Sequence, residues 1–157
     1  MKITVLAIGK TDDKALESLL EDYQKRLGHY VPFSMEIIPD IKNAKNLSEA
    51  LQKQAEGDEI LKRLIPSDIV LLLDEKGKTY SSVGFSEFLQ KKMNSGLKNL
   101  VFVIGGPYGF SDELYARATG KISLSSMTFS HQMVRLFFVE QLYRAFTILR
   151  NEPYHHR

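Results

Sequence analysis

The chain has 157 residues, a formal net charge of +2, 43% hydrophobic and 25% charged residues, the make-up of a globular protein able to bury a core unaided. Cysteine is absent, which excludes disulfide frameworks, thiolate metal sites and cysteine nucleophiles and makes a reducing cytoplasm the expected setting. The apolar run Ile3 to Ile8 is shorter than a signal-peptide core and no stretch approaches the roughly 20 apolar residues that cross a bilayer, so neither export nor a membrane partner is expected.

In chain order, apolar patterning predicts a strand over Lys2 to Ile8, a helix over Asp13 to Leu27 and a strand over Phe33 to Pro39. A helix over Leu47 to Leu64, a strand over Asp68 to Asp74 and a helix over Ser82 to Met93 follow. A strand over Asn99 to Gly105, a short helix over Asp112 to Ala118, a strand over Lys121 to Ser125 and a long helix over Gln132 to Arg150 complete the chain. This alternation predicts an α/β fold, a mainly parallel sheet with helices on both faces. The continuous apolar runs Ile69 to Leu73 and Leu100 to Ile104 belong mid-sheet. No linker rich in proline, glycine or serine and no repeat divides the sequence, so a single domain over residues 1–157 is expected. The last helix is apolar on more than one face, from Met133, Val134 and Phe137 through Leu142, Phe146 and Leu149. A helix packed on one side of a sheet needs a narrower stripe. A subunit interface is preferred here over a fully buried core helix.

In open α/β sheets ligands bind beyond the carboxyl ends of the strands. Three segments fall there: Asp74 to Lys78, Gly105 to Phe110 and Ser125 to His131. The Gly105-Gly106-Pro107-Tyr108-Gly109 turn allows close backbone approach to a ligand, and equally reads as a plain strand-to-helix turn. It is neither a phosphate-binding Walker loop nor a dinucleotide fingerprint. His131 and Arg135, four apart at a helix start, present a site for a phosphate or carboxylate, against the plainer reading of a capping histidine and a solvated arginine. Glu140 and Arg144 have the spacing of a helix ion pair more than of catalysts. The tail Tyr154-His155-His156-Arg157 holds groups that stack on bases and contact phosphate, although a tail is ordinarily frayed. His155 and His156 lack a carboxylate partner pattern, and no metal is expected. The mild net charge alone gives a weak footprint for RNA.

Taken together, Ile104 to Gly109, Leu124 to His131 with Val134-Arg135, Glu140 to Ala145 and Asn151 to His155 resemble the ribosomal RNA large subunit methyltransferase H family, over essentially the whole chain. The resemblance implies the SPOUT class and its C-terminal trefoil knot, an exception to the rule against knotted chains. It also implies S-adenosyl-L-methionine as cofactor, a homodimer, and methylation of N3 of a pseudouridine in 23S ribosomal RNA of the assembled ribosome. Carried over, the cofactor would be bound by Leu73, Gly105, Leu124, Ser125, Ser126, Met127, Thr128 and Phe129. His155, Tyr154 and Arg135 would serve catalysis, and His131, Arg135, His156 and Arg157 would contact RNA. Family members commonly place a basic residue directly after the Tyr-His pair; here His156 stands there and Arg157 follows, so the phosphate contact falls to one or the other.

The sulfonium methyl is already activated, so alignment and exclusion of water are the main tasks. The N3 proton must also leave, which calls for a base or for donors that stabilise the anion. His155 is the first candidate and His131 the second. Competing readings are a SPOUT methyltransferase acting on transfer RNA or another ribosomal base, and a module that binds the cofactor without turnover.

Overall fold

The computed structural model describes residues 1–156. Five parallel strands, β1 (Lys2–Ile8), β2 (Phe33–Ile38), β3 (Ile69–Thr79), β4 (Asn99–Ile104) and β5 (Gly120–Ser123), form one sheet in the order β2-β1-β4-β3-β5. The helices are α1 (Lys14–Gly28), α2 (Glu49–Leu61), α3 (Ser82–Asn94), the short α4 (Asp112–Arg117) and α5 (Met133–Leu149), with a 3-10 turn over Ala44–Asn46 ahead of α2. Helix starts follow the caps. Asp13 accepts from the amides of Ala15 and Leu16, and Ser48, Ser81 and Ser111 each accept one amide at the starts of α2, α3 and α4, satisfying donors that a first turn leaves over.

Alternate residues of the central strands feed two cores. Val70, Leu72, Val101 and Val103 pack with Ile60 of α2 and Leu114 of α4 on one face. Leu71, Leu100, Phe102 and Ile104 pack with Leu16, Leu20, Leu89, Phe138 and Leu142 from α1, α3 and α5 on the other. Both predicted central strands are flanked on each side, as continuous apolar runs require.

Two differences from the sequence expectation matter for the site. β3 runs past Asp74 to Thr79: Ile122 of β5 pairs first with Leu73 and again with Lys78, so residues 74–77 leave the ladder and rejoin it. The polar Glu75-Lys76-Gly77-Lys78 run has no strand pattern, and its place in the sheet is imposed by β5. Secondly, α5 lies between α1 and α3 on the sheet. It buries Phe138, Val139, Leu142, Ala145 and Phe146, so its apolar breadth has an intramolecular cause. Met133 and Phe137 remain exposed, at 40% and 41%. Among the described residues no helix is long and apolar enough to cross a membrane.

Candidate cofactor cleft and C-terminal cluster

The carboxyl ends of β3, β4 and β5 open into a cleft of about 650 Å³, within the range of small-molecule sites. Seven of the eight residues expected to bind cofactor line it: Leu73, Gly105, Leu124, Ser125, Met127, Thr128 and Phe129. Ser126, exposed in the same loop, does not. The loop after β5 is shaped by short polar turns, with the Ser123 hydroxyl donating to the Ser125 carbonyl (2.9 Å) and the Met127 amide to Ser125 Oγ (3.0 Å). The glycine turn forms the facing wall. A Cβ on Gly105 would stand 2.9 Å from the Phe110 ring, so the absence of a side chain lets the turn fold back on itself.

The cleft also takes residues that no spacing in the sequence announces, including Glu49 and Tyr115 from helices and Val134 from α5. Tyr115 donates to Asp74 Oδ2 at 2.5 Å, and the Lys76 amide donates to Oδ1 at 2.9 Å. Burial acts to raise the Asp74 carboxyl, but these hydrogen bonds, with Lys121 and Lys76 nearby, bring it below its usual range. Burial and the same carboxylate push Tyr115 up to about 12. Asp74 is thus a fixed anion on the cleft wall, with Glu49 and Glu75 beside it.

His131 is exposed and lines the cleft. Arg135 does not join it there. It is fully buried, at 0% exposure, with Nε donating to the His131 carbonyl (3.1 Å), Nη1 to Thr11 Oγ1 (3.2 Å) and Nη2 to the Ile8 carbonyl (2.7 Å). The fork ties the end of β1 and its loop to the start of α5. With each of its three nitrogens hydrogen-bonded within the chain and no exposed surface, Arg135 has a structural place that does not fit the contact with phosphate expected of it. Gln132 adds to the clasp, donating to the Lys10 carbonyl and accepting from the Asp12 amide.

The tail is docked, not frayed. Tyr154 donates to Glu140 Oε1 (2.8 Å) and meets the Tyr23 hydroxyl (3.2 Å), while Tyr30 donates to Glu152 (2.6 Å). Arg144 bridges Glu140 and His155 Nδ1 (3.1 Å), and its guanidinium lies 4.9 Å from the Tyr154 ring centroid. Burial and the bonds to Tyr23 and Glu140 push the Tyr154 hydroxyl well above its ordinary range. The spacing of Glu140 and Arg144 does mark an ion pair, and it anchors the tail. Because arginine has no acceptor, His155 Nδ1 must be the acceptor, which places the proton of a neutral ring on Nε2. None of Tyr154, His155 or His156 lines the cleft. From Val134, the α5 residue that lines the cleft, the helix rises roughly 9 Å to Glu140 and roughly 15 Å to Arg144, which hold the tail, so the tail sits along α5 from the cleft of its own chain. His156 is exposed; Arg157 lies outside the described residues. Among those residues no three histidine, aspartate or glutamate side chains gather as a metal requires.

Residues 1–155 match the family model described as a predicted SPOUT methyltransferase. The ribosomal RNA large subunit methyltransferase H of Flavobacterium johnsoniae is 69% identical over 157 residues, covering 100% of both chains. That of Parabacteroides distasonis is 62% identical over 156 residues, 99% of each. A solved structure of a probable methylase family protein from Haemophilus influenzae shares the fold, with a TM-score of 0.54 at 11% identity over 99% of this chain and 70% of its own.

Proposed function

The chain belongs to the SPOUT methyltransferase family, and from that premise we propose that it methylates large-subunit ribosomal RNA, as the names of its relatives state of them. The target in this reading is N3 of a pseudouridine in 23S RNA, reached on the assembled ribosome in the cytoplasm by a homodimer of one-domain chains. Family membership carries with it a trefoil knot in the C-terminal third. The observation that supports the reading best is the convergence of three separate segments, around Leu73, Gly105 and Leu124 to Phe129, on one cleft.

The donor set suits S-adenosylmethionine, whose net charge is positive. Fixed Asp74, with Glu49 and Glu75 set against the single Lys76, gives the cleft a net negative wall; Leu124, Phe129 and Val134 give apolar contact, and the glycine turn gives close backbone approach. When bound, the cofactor supplies a methyl group already activated on a positive sulfur. The residues of the chain then hold the target nitrogen in line and keep water away.

His131, exposed in the cleft, is the side chain there able to take the N3 proton. His155, with its proton on Nε2, suits the complementary task of donating a hydrogen bond to the developing anion. Tyr154, tied to Glu140 and Tyr23, holds that histidine's segment in place. The tail lies away from its own cleft, so the reading places it against the cleft of a partner. Met127, Phe129, Met133 and Phe137, exposed at 77%, 41%, 40% and 41%, form an apolar border beside the cleft that a second copy would cover.

The test is transfer of labelled methyl from S-adenosylmethionine to ribosomes lacking the modification, beside protein-free ribosomal RNA and transfer RNA, with the product nucleotide mapped. Label at a pseudouridine N3 on ribosomes alone is the expected result. Label on free transfer RNA would move the substrate elsewhere in the family, and cofactor binding without label would indicate a non-catalytic binder.

A further inference from the structure

Two consecutive residues of α2 press on both ends of the segment that walls the cleft. A Cβ on Gly106 would stand 2.7 Å from both carboxylate oxygens of Glu56, and a Cβ on Gly57 would collide with the hydroxyl of Ser111. That hydroxyl caps α4 by accepting the Leu114 amide at 3.3 Å. Glu56 is 4% exposed. Its Oε2 accepts from Gln52 at 3.2 Å, while its Oε1 is shielded from solvent with no hydrogen-bond partner among the described residues. Burial pushes the carboxyl up, with Asp40 adding to the rise and Gln52 and His131 opposing it. An unpartnered buried acceptor is costly and rare. An apolar side chain of similar volume would fill the space without that cost, so packing does not account for a carboxylate here.

We propose that Glu56 is a positioning residue for methyl transfer: its carboxyl group braces the Gly105–Gly109 turn from behind, and its free Oε1 receives an amide of that turn when the turn closes on the cofactor. Within residues 106–109 Gly106 and Gly109 pair in an antiparallel bridge, with the Gly109 amide donating to the Gly106 carbonyl (3.3 Å), and Pro107 has no amide hydrogen, which leaves the Tyr108 amide as the donor. Gly106 must then be glycine because the brace occupies the volume of a Cβ. The inference rests on the reading of the cleft as the cofactor site.

The experiment is calorimetric titration of the intact protein with S-adenosylmethionine for wild type, E56A, E56Q, G106A and E56A/G106A, with cofactor KM, kcat and unfolding midpoints measured in parallel. E56A is expected to weaken cofactor binding about tenfold and to raise KM more than it lowers kcat, without a matching fall in the midpoint. E56Q, whose amide oxygen still accepts, should stay within about threefold of wild type. G106A should also weaken binding, yet E56A/G106A should bind no more weakly than E56A, because the collision has gone. Should E56A not fold, E56D takes its place with the same expectation, its shorter stem withdrawing the brace. E56A, or E56D in its place, binding as wild type does, or losses that simply multiply in the double variant, would overturn the inference and leave the cleft reading standing. Absence of binding by the wild type would overturn that reading, and this inference with it.

Discussion

An arginine whose three nitrogens each reach a partner, two carbonyls and a hydroxyl, works as a clasp. Replacing Arg135 by methionine strands the buried Ile8 carbonyl and frees that of His131, and the expected loss is about 1–3 kcal/mol of unfolding free energy by urea titration. Lysine, without the fork, should recover only part of it. If Arg135 instead held phosphate, stability would be kept and the salt dependence of RNA binding would flatten. Glu56 gives a pH signature. Its folded carboxyl is raised above the unfolded value by burial, so folding favours the protonated form; the stability this confers is full below the ordinary glutamate range and is lost as pH rises through the raised value. Thermal unfolding from about pH 4 to pH 8 should show wild type losing ground to Glu56→Gln as pH rises; parallel curves would show that the carboxyl does not titrate abnormally. Both residues were hard to see in the sequence for the same reason. Helical spacing states which residues share a side, not which side faces the core, so Arg135 reads as a neighbour of His131, and nothing in the spacing of the Leu47 to Leu64 segment singles out Glu56.

Elements were more legible where periodicity alone decides them. The two apolar runs of β3 and β4 reveal central strands, and serine or aspartate caps mark helix starts to within a residue or two. What periodicity does not carry is a shape imposed by a neighbour: the second half of β3 is held by Ile122, and the tail is held by Glu140, Arg144, Tyr23 and Tyr30. The cofactor segments were readable through family resemblance, whereas Glu49 and Tyr115 reach the cleft by tertiary folding alone. The docked tail predicts a separation of effects. His155→Ala should lower kcat on ribosomes by roughly a hundredfold, as loss of one preorganised donor does, with cofactor affinity unchanged by calorimetry. Tyr154→Phe removes the bond to Glu140 and should cost a smaller part of kcat together with about 1 kcal/mol of stability. Unchanged turnover in both variants would take the tail out of the mechanism.

At the scale of the whole molecule, the apolar border at Phe129 and Phe137, whose rings lie 5.3 Å apart, carries the argument for a second copy. Phe137→Glu should shift sedimentation from dimer to monomer and abolish turnover while the monomer stays folded. Mixing a tail variant, His155→Ala, with a cleft variant, Leu124→Arg, tests where the tail acts: a tail serving the partner's cleft restores about a quarter of wild-type activity in an equal mixture, and a tail serving its own cleft restores none. The sheet itself is assembled from remote pieces. β1 waits for β4, which lies more than ninety residues further on, before its second edge is paired, and its end is tied to α5 by Arg135. During synthesis the chain therefore leaves the exit tunnel with β1 half-paired, and the Phe129-to-Val134 wall of the cleft is among the last parts to appear. An enzyme built this way has no working pocket until α5 has emerged and docked, so a chain still short of that helix folds its sheet without being able to hold its methyl donor.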